Sequence, residues 1–211
     1  MSSLRRTMAA VDRRSELPLR WRIMDHGAVT ILDGATALAD TERTLEAIHR
    51  LCARLKHEVS TLRLRDLAIA PCTGCFMCWV RTPGICVQDD AGRNVAASVI
   101  RGDVLVLVTP ITFGGYSSEL KKAVDRTIPV ILPFFERLAG ETHHQPRYAE
   151  YPSIVAVGIG PATPEEERLF RQLVKRHARN MHAPAVEVCV VPRDGEGNAL
   201  VLEAMRRILG R

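Results

Sequence analysis

The sequence has no long hydrophobic run. No uninterrupted apolar stretch approaches the ~20 residues that cross a bilayer as a helix, so a helical membrane protein is excluded. No apolar segment of ~7–15 residues follows Arg5-Arg6, as a Sec or twin-arginine signal requires, and Asp12 and Glu16 are out of keeping with a transit peptide. Lysine is scarce, with 4 residues against 25 arginines; the bias suits a GC-rich genome and carries no chemistry. Aromatic residues are 5% of the chain, and six of the ten fall between Phe113 and Tyr151. There is no internal repeat and no low-complexity segment. His26, His49, His57, His177 and His182 show no metal-ligand spacing. No Ser-His-Asp or paired-carboxylate arrangement can be read from spacing, so no catalytic acid, base or nucleophile is assigned.

What is present fits one α/β domain. With 211 residues, 46% of them hydrophobic, the chain can bury a core without disulfide staples. Its net charge of +5 at first suggests a nucleic-acid partner. Residues 1–22, however, hold six arginines against Asp12 and Glu16, a local net of +4 that leaves +1 for the rest. The basicity belongs to an arm, taken as residues 1–25, ahead of a domain at 26–211; nucleic acid is not expected as a partner of that domain. Of six cysteines, Cys72, Cys75, Cys78 and Cys86 lie within fifteen residues, while Cys52 and Cys189 stand alone and read as core thiols. A secreted disulfide scaffold would be smaller and would spread its cysteines. A reducing, cytoplasmic location is expected.

Apolar patterning alternates between short runs and helical spacing. Residues 28–32 read as a buried strand, 41–56 as a helix with Leu45, Ile48, Leu51, Cys52 and Leu55 on one face, and 59–64 as an edge strand. Asp90 can cap a helix that Gly102 ends, and Val104 to Val108 is the most hydrophobic strand, so it should be central. Ser117 or Ser118 caps the next helix. Residues 154–157 form a fourth strand, Thr163-Pro164-Glu165-Glu166 opens a long helix with a capping box, and 186–191 and 198–209 supply the fifth strand and a closing helix. Five strands alternating with helices imply a doubly wound parallel sheet with helices on both faces, in the order 2-1-3-4-5. Ligands are expected beyond the C-terminal strand ends, at the switch between strands one and three.

Two segments carry chemistry. The first is C-x2-C-x2-C-x7-C, formed by Cys72, Cys75, Cys78 and Cys86. Compact runs of this kind aim thiolates at one centre and hold iron–sulfur cubanes. Structural zinc more often uses two separated C-x2-C knuckles, and ordinary thiols or a redox-active pair remain alternatives. The second is Thr109-Pro110-Ile111-Thr112-Phe113-Gly114-Gly115-Tyr116-Ser117-Ser118, where two glycines beside a helix start let backbone N–H groups approach a planar ligand. Phe113 and Tyr116 are placed to wall such a ring. His143, His144, Arg147, Tyr148 and Tyr151 fall in a connection too long for a simple turn, suited to a lid, a subunit interface or a packed surface loop.

The run from Thr109 to Arg126 resembles the flavin-ring loop and following helix of the flavodoxin-like, NADPH-dependent FMN reductases. With the cysteine run and Asp89-Asp90 upstream, it resembles the iron–sulfur flavoprotein branch. Topologically the resemblance runs from Ala28 to Val191; specific motifs cover residues 71–126. It implies an FMN-dependent NAD(P)H oxidoreductase or electron-transfer flavoprotein. Pro110, Ile111, Thr112, Phe113, Gly114 and Gly115 would contact the isoalloxazine, with Gly158 and Gly160 on its other side. Cys72, Cys75, Cys78 and Cys86 would hold a [4Fe-4S] cluster. A dimer or tetramer and a small-molecule or protein electron acceptor are implied as partners. Lys121, Asp125 and Arg126 are expected to tie their helix down.

The family's phosphate loop follows strand one. Here Gly34, Thr36 and Thr41 can donate, but Asp40 can cap the helix and take the place a phosphate needs. A carboxylate ~5 Å from a phosphate costs about 3 kcal/mol per charge pair at an effective dielectric near 20. The alternative is therefore a protein that has lost FMN and uses its cysteine loop for metal binding or redox sensing.

Overall fold

The computed structural model describes residues 27–37, 41–160, 162–194 and 196–210; the arm at 1–25 and the cap expected of Asp40 lie outside them. The chain alternates as its patterning predicts. Strand β1 (Ala28–Asp33) leads to helix α1 (Glu42–Arg54) and strand β2 (Glu58–Arg63). The cysteine loop follows, with the one-turn helix α2 (Met77–Val80) inside it, and then α3 (Ala91–Arg101), β3 (Val104–Pro110) and α4 (Ser118–Asp125). Strands β4 (Ile131–Leu138) and β5 (Glu141–Pro146) precede β6 (Ser153–Gly160), α5 (Pro164–Asn180), β7 (Val186–Pro192) and α6 (Asn198–Leu209).

Five strands form one sheet in the order β2-β1-β3-β6-β7, all parallel. This is the expected 2-1-3-4-5 order. Every residue of β3 is buried, as a central strand covered on both faces requires. Its side chains alternate between two cores. Val104, Val106 and Val108 pack with Leu45, Ile48, Leu51 and Met205 of α1 and α6. Leu105 and Leu107 pack with Val95, Val99, Leu120, Phe170 and Val174 of α3, α4 and α5. Cys52 and Cys189 are buried in the first of these cores, as read from the sequence.

Local chemistry fixes the helix starts. Asp90 caps α3 by accepting from the Gly92 N–H at 2.9 Å, and Ser117 caps α4. Thr163 and Glu166 close the capping box of α5.

The connection before β6 holds an element the sequence pattern does not announce, an antiparallel β4–β5 hairpin. Leu138 pairs with Glu141 across Ala139-Gly140, both at positive φ (50° and 84°), the two-residue turn whose twist matches paired strands. Pro133 and a register shift between Ile131 and Phe135 break the alternation that would have marked β4. The hairpin is pinned to the end of α5, where Glu141 accepts from Arg176 at 2.5 Å and Arg179 at 2.6 Å, and buried His143 contacts Asn180 and Glu141. Among the described residues no helix is long and apolar enough to cross a membrane.

Candidate functional site

At the C-terminal ends of β1 and β3 two loops meet where the strand order reverses. After β3, Thr112 and Gly115 exchange backbone hydrogen bonds at 3.1 and 2.9 Å around Phe113 (φ 50°) and Gly114 (φ 73°). This tight turn holds Phe113 93% exposed at its tip. A Cβ on Gly114 would lie 2.9 Å from Leu169, so glycine there lets the turn rest on α5. Ile111 is tied to β6 through the Ile159 carbonyl at 3.0 Å. Pro110 is buried, Ile111 half-buried and Thr112 exposed. The loop is thus braced from below and open at its tip.

Tyr116 does not wall a ring beside Phe113. It is buried in the core, edge-on to Phe170, with its hydroxyl hydrogen-bonded to His177 Nδ1 at 3.0 Å. Gly158 lies within β6, where a Cβ would meet Ile111 and Phe170 at 2.8 Å, a packing position. Gly160 ends the same strand, close against the Ala162 backbone.

The β1 loop has an electrostatic centre that sequence reading missed. Asp33 is buried and accepts from the Ala35 N–H and the Thr41 hydroxyl, each at 3.0 Å, and from Arg65 at 2.9 Å. Thr41 is therefore committed to Asp33, while Thr36 is exposed. Two features still suit an anion. Among the described residues helix α1 has no side-chain cap, so its first-turn N–H groups face a ligand site, and the second terminal nitrogen of Arg65 is buried with no partner among them. The Ser117 hydroxyl donates to the Gly34 carbonyl at 2.5 Å, locking the β1 and β3 loops together.

The cysteine loop forms a second site. Cys72, Cys75, Cys78 and Cys86 all line one cavity of about 290 Å³, with Thr73, Phe76, Gln88, Asp125 and Ile128. Cys72 and Cys75 are exposed and Cys78 buried. The Met77 N–H and the Thr73 hydroxyl draw the Cys75 thiol below its ordinary range, whereas burial and the neighbouring thiols push Cys78 up. Among the described residues no three metal-ligating side chains converge on one ion position, although all four cysteines line the one cavity. Gln88, which lines it, and Arg126, next to the lining Asp125, each hold a buried polar atom, Oε1 and Nε, with no nitrogen or oxygen partner among the described residues.

Helix α4 joins the two sites. Its cap, Ser117, belongs to the β3 loop, and its last residue, Asp125, lines the cysteine cavity. Eight residues at 1.5 Å each span about 12 Å. Lys121 and Asp125 form an exposed i,i+4 pair within α4, whereas Arg126 bonds to both flanks of the cysteine loop, so of the three it is Arg126 that ties the helix down.

A family model described as NADPH-dependent FMN reductase matches residues 29–192. An iron–sulfur flavoprotein of Archaeoglobus fulgidus is 30% identical over 96 residues, 46% of each chain. Another, from Methanocaldococcus jannaschii, is 32% identical over 77 residues, 36% of this chain and 39% of the relative. These matches span less than half of either relative's length. Among solved structures, an NAD(P)H:quinone oxidoreductase from Methanothermobacter marburgensis has a TM-score of 0.62 at 13% identity, covering 87% of this chain and 96% of the other. An apo NADH:FMN oxidoreductase has a TM-score of 0.58 at 15% identity, covering 87% and 88%. At those identities the likeness is one of fold.

Proposed function

The chain belongs to the NADPH-dependent FMN reductase family, and on that premise we propose that it is an FMN-dependent NAD(P)H oxidoreductase whose cysteine loop holds a [4Fe-4S] cluster. The observation that carries the reading is the cavity at the far end of α4, which all four cysteines line. A structural zinc needs every sulfur ~2.3 Å from one point. Thiols spread around a cavity suit a polynuclear body, each binding a different iron.

FMN supplies hydride acceptance from NAD(P)H and single-electron release, and an iron–sulfur cluster accepts electrons singly. The chain's own residues bind and orient. Pro110 to Gly115 present backbone and the Phe113 ring to the isoalloxazine, and the braced turn fixes its plane. The first turn of α1, with Thr36 and Arg65 nearby, holds the phosphate, and Gly160 bounds the pocket from β6. The electron acceptor is a small molecule or a protein. Exposed Phe113, Leu169 and Leu173 flank the flavin loop and support assembly as a dimer or tetramer, measurable by light scattering.

Anaerobic purification tests the proposal. The protein should be yellow-brown, release FMN, contain about four irons per chain, and lose its flavin absorbance on adding NADH or NADPH. A second reading draws on Asp33, which already takes the Thr41 hydroxyl and the Ala35 N–H: a protein without FMN that binds metal or senses redox state through its cysteines. A colourless product that FMN cannot reconstitute would establish that reading and overturn the first.

A further inference from the structure

Arg126 heads the largest fully buried side chains, 1% exposed. From the end of α4 it donates to the Ala70 carbonyl at 2.7 Å, to both oxygens of Asp90 at 2.7 and 2.8 Å, and to the Gln88 carbonyl at 3.3 Å. Ala70 precedes the first cysteine of the loop and Gln88 follows the last. Asp90 also accepts from the Ala70 and Gly92 N–H groups. One guanidinium thus fastens both flanks of the cysteine loop to α3 and α4. A Cβ on Gly92 would lie 2.9 Å from the guanidinium carbon, so that position must stay small.

Fastening alone leaves one feature unexplained. Among the described residues the Arg126 Nε is buried with no nitrogen or oxygen partner, a donor position that the fold leaves for the Cys86 thiol beside the guanidinium. The Cys86 sulfur, which lines the cavity, is among the groups that sustain the Arg126 charge. A cluster held by four thiolates is an anion in either oxidation state and gains one negative charge on reduction. A buried cation beside one of those thiolates stabilises the reduced form more than the oxidised form.

We propose that Arg126 is the positioning residue of the cysteine-held cluster, directing its Nε–H toward Cys86 and raising the cluster's reduction potential. The inference rests on the cluster reading above.

Redox titration of the anaerobic holoprotein, followed by electron paramagnetic resonance, tests both separately. Arg126→Gln should lower the potential by the equivalent of a tenfold or larger change in the reduction equilibrium, 59 mV for one electron. Asp90→Asn keeps a capping side chain but leaves the guanidinium uncompensated, so it should raise the potential. Arg126→Lys keeps the charge and should stay within about threefold of the parent equilibrium. General loosening of the loop would move Arg126→Gln and Asp90→Asn the same way. Shifts of one sign, or no shift, overturn the assignment. If Arg126→Gln does not fold, Asp90→Asn decides, and an unchanged or lowered potential overturns the role. Parent protein that takes up no iron on reconstitution refutes the cluster reading itself, and Arg126 with it.

Discussion

Phe113 and Ala139 both hold left-handed backbone, at φ 50° each, and each sits at the first central position of a tight turn followed by glycine. The left-handed region costs an L-residue about 1–2 kcal/mol, and asparagine tolerates it better. Ala139 supports only the hairpin turn, so Ala139→Asn should raise the unfolding free energy by about 1 kcal/mol in urea titration and leave FMN affinity unchanged. Phe113→Asn should gain similar stability but weaken FMN binding three- to tenfold, since an aromatic contact contributes about 0.5–1.5 kcal/mol. The two substitutions separate strain kept for a turn from strain kept for a ligand. Unchanged FMN affinity in Phe113→Asn would remove Phe113 from the flavin site.

At the scale of elements, legibility tracked local chemistry. Helix α5 could be read from Thr163, Pro164 and Glu166 alone, and β3 from five consecutive apolar residues, because caps and buried runs are written in adjacent residues. The hairpin could not, since its evidence is long-range. Trp79 of α2 donates to the Ile131 carbonyl at 2.9 Å and packs 4.9 Å from the His144 ring, while Phe135 lies 4.6 Å from the same ring. Phe76 stacks on Trp79 at 5.2 Å. The hairpin and the cysteine loop therefore share one aromatic stack. Trp79→Ala should cost about 2–3 kcal/mol for a half-buried indole, whereas Trp79→Phe keeps the stack and should lose only about 1 kcal/mol with the hydrogen bond. Hydrogen exchange should show the Ala variant loosening the hairpin and cysteine loop together; loosening of one alone would mean the stack does not couple them.

For the whole molecule, the spacing of the cysteines announced the second site, but the buried centre of the first was hidden. Asp33 gathers Thr41 from eight residues away and Arg65 from the end of β2, which no local pattern shows. Tyr116 and His177 are a similar pair, 61 residues apart, and they give the fold a pH dependence. Burial pushes His177 down to about 4, with Asp125 partly opposing that shift and Lys121 adding to it. The unfolded chain takes up this proton near pH 6.5, so between those values the unfolded state binds more protons than the native one. Stability from this group is complete above pH 6.5 and falls as pH drops toward 4. From pH 8 to 4.5 the loss should be about 2–3 kcal/mol. Asp90 and Glu141 act lower, each held near pH 2 by arginine partners, and their contribution fades as pH falls from about 4.5 toward 2. Urea unfolding across pH 4.5–8 should show the first slope in the parent and lose most of it in His177→Gln, which can still hydrogen-bond to Tyr116 but takes up no proton. An equally steep profile in that variant would place the titrating group elsewhere in the chain.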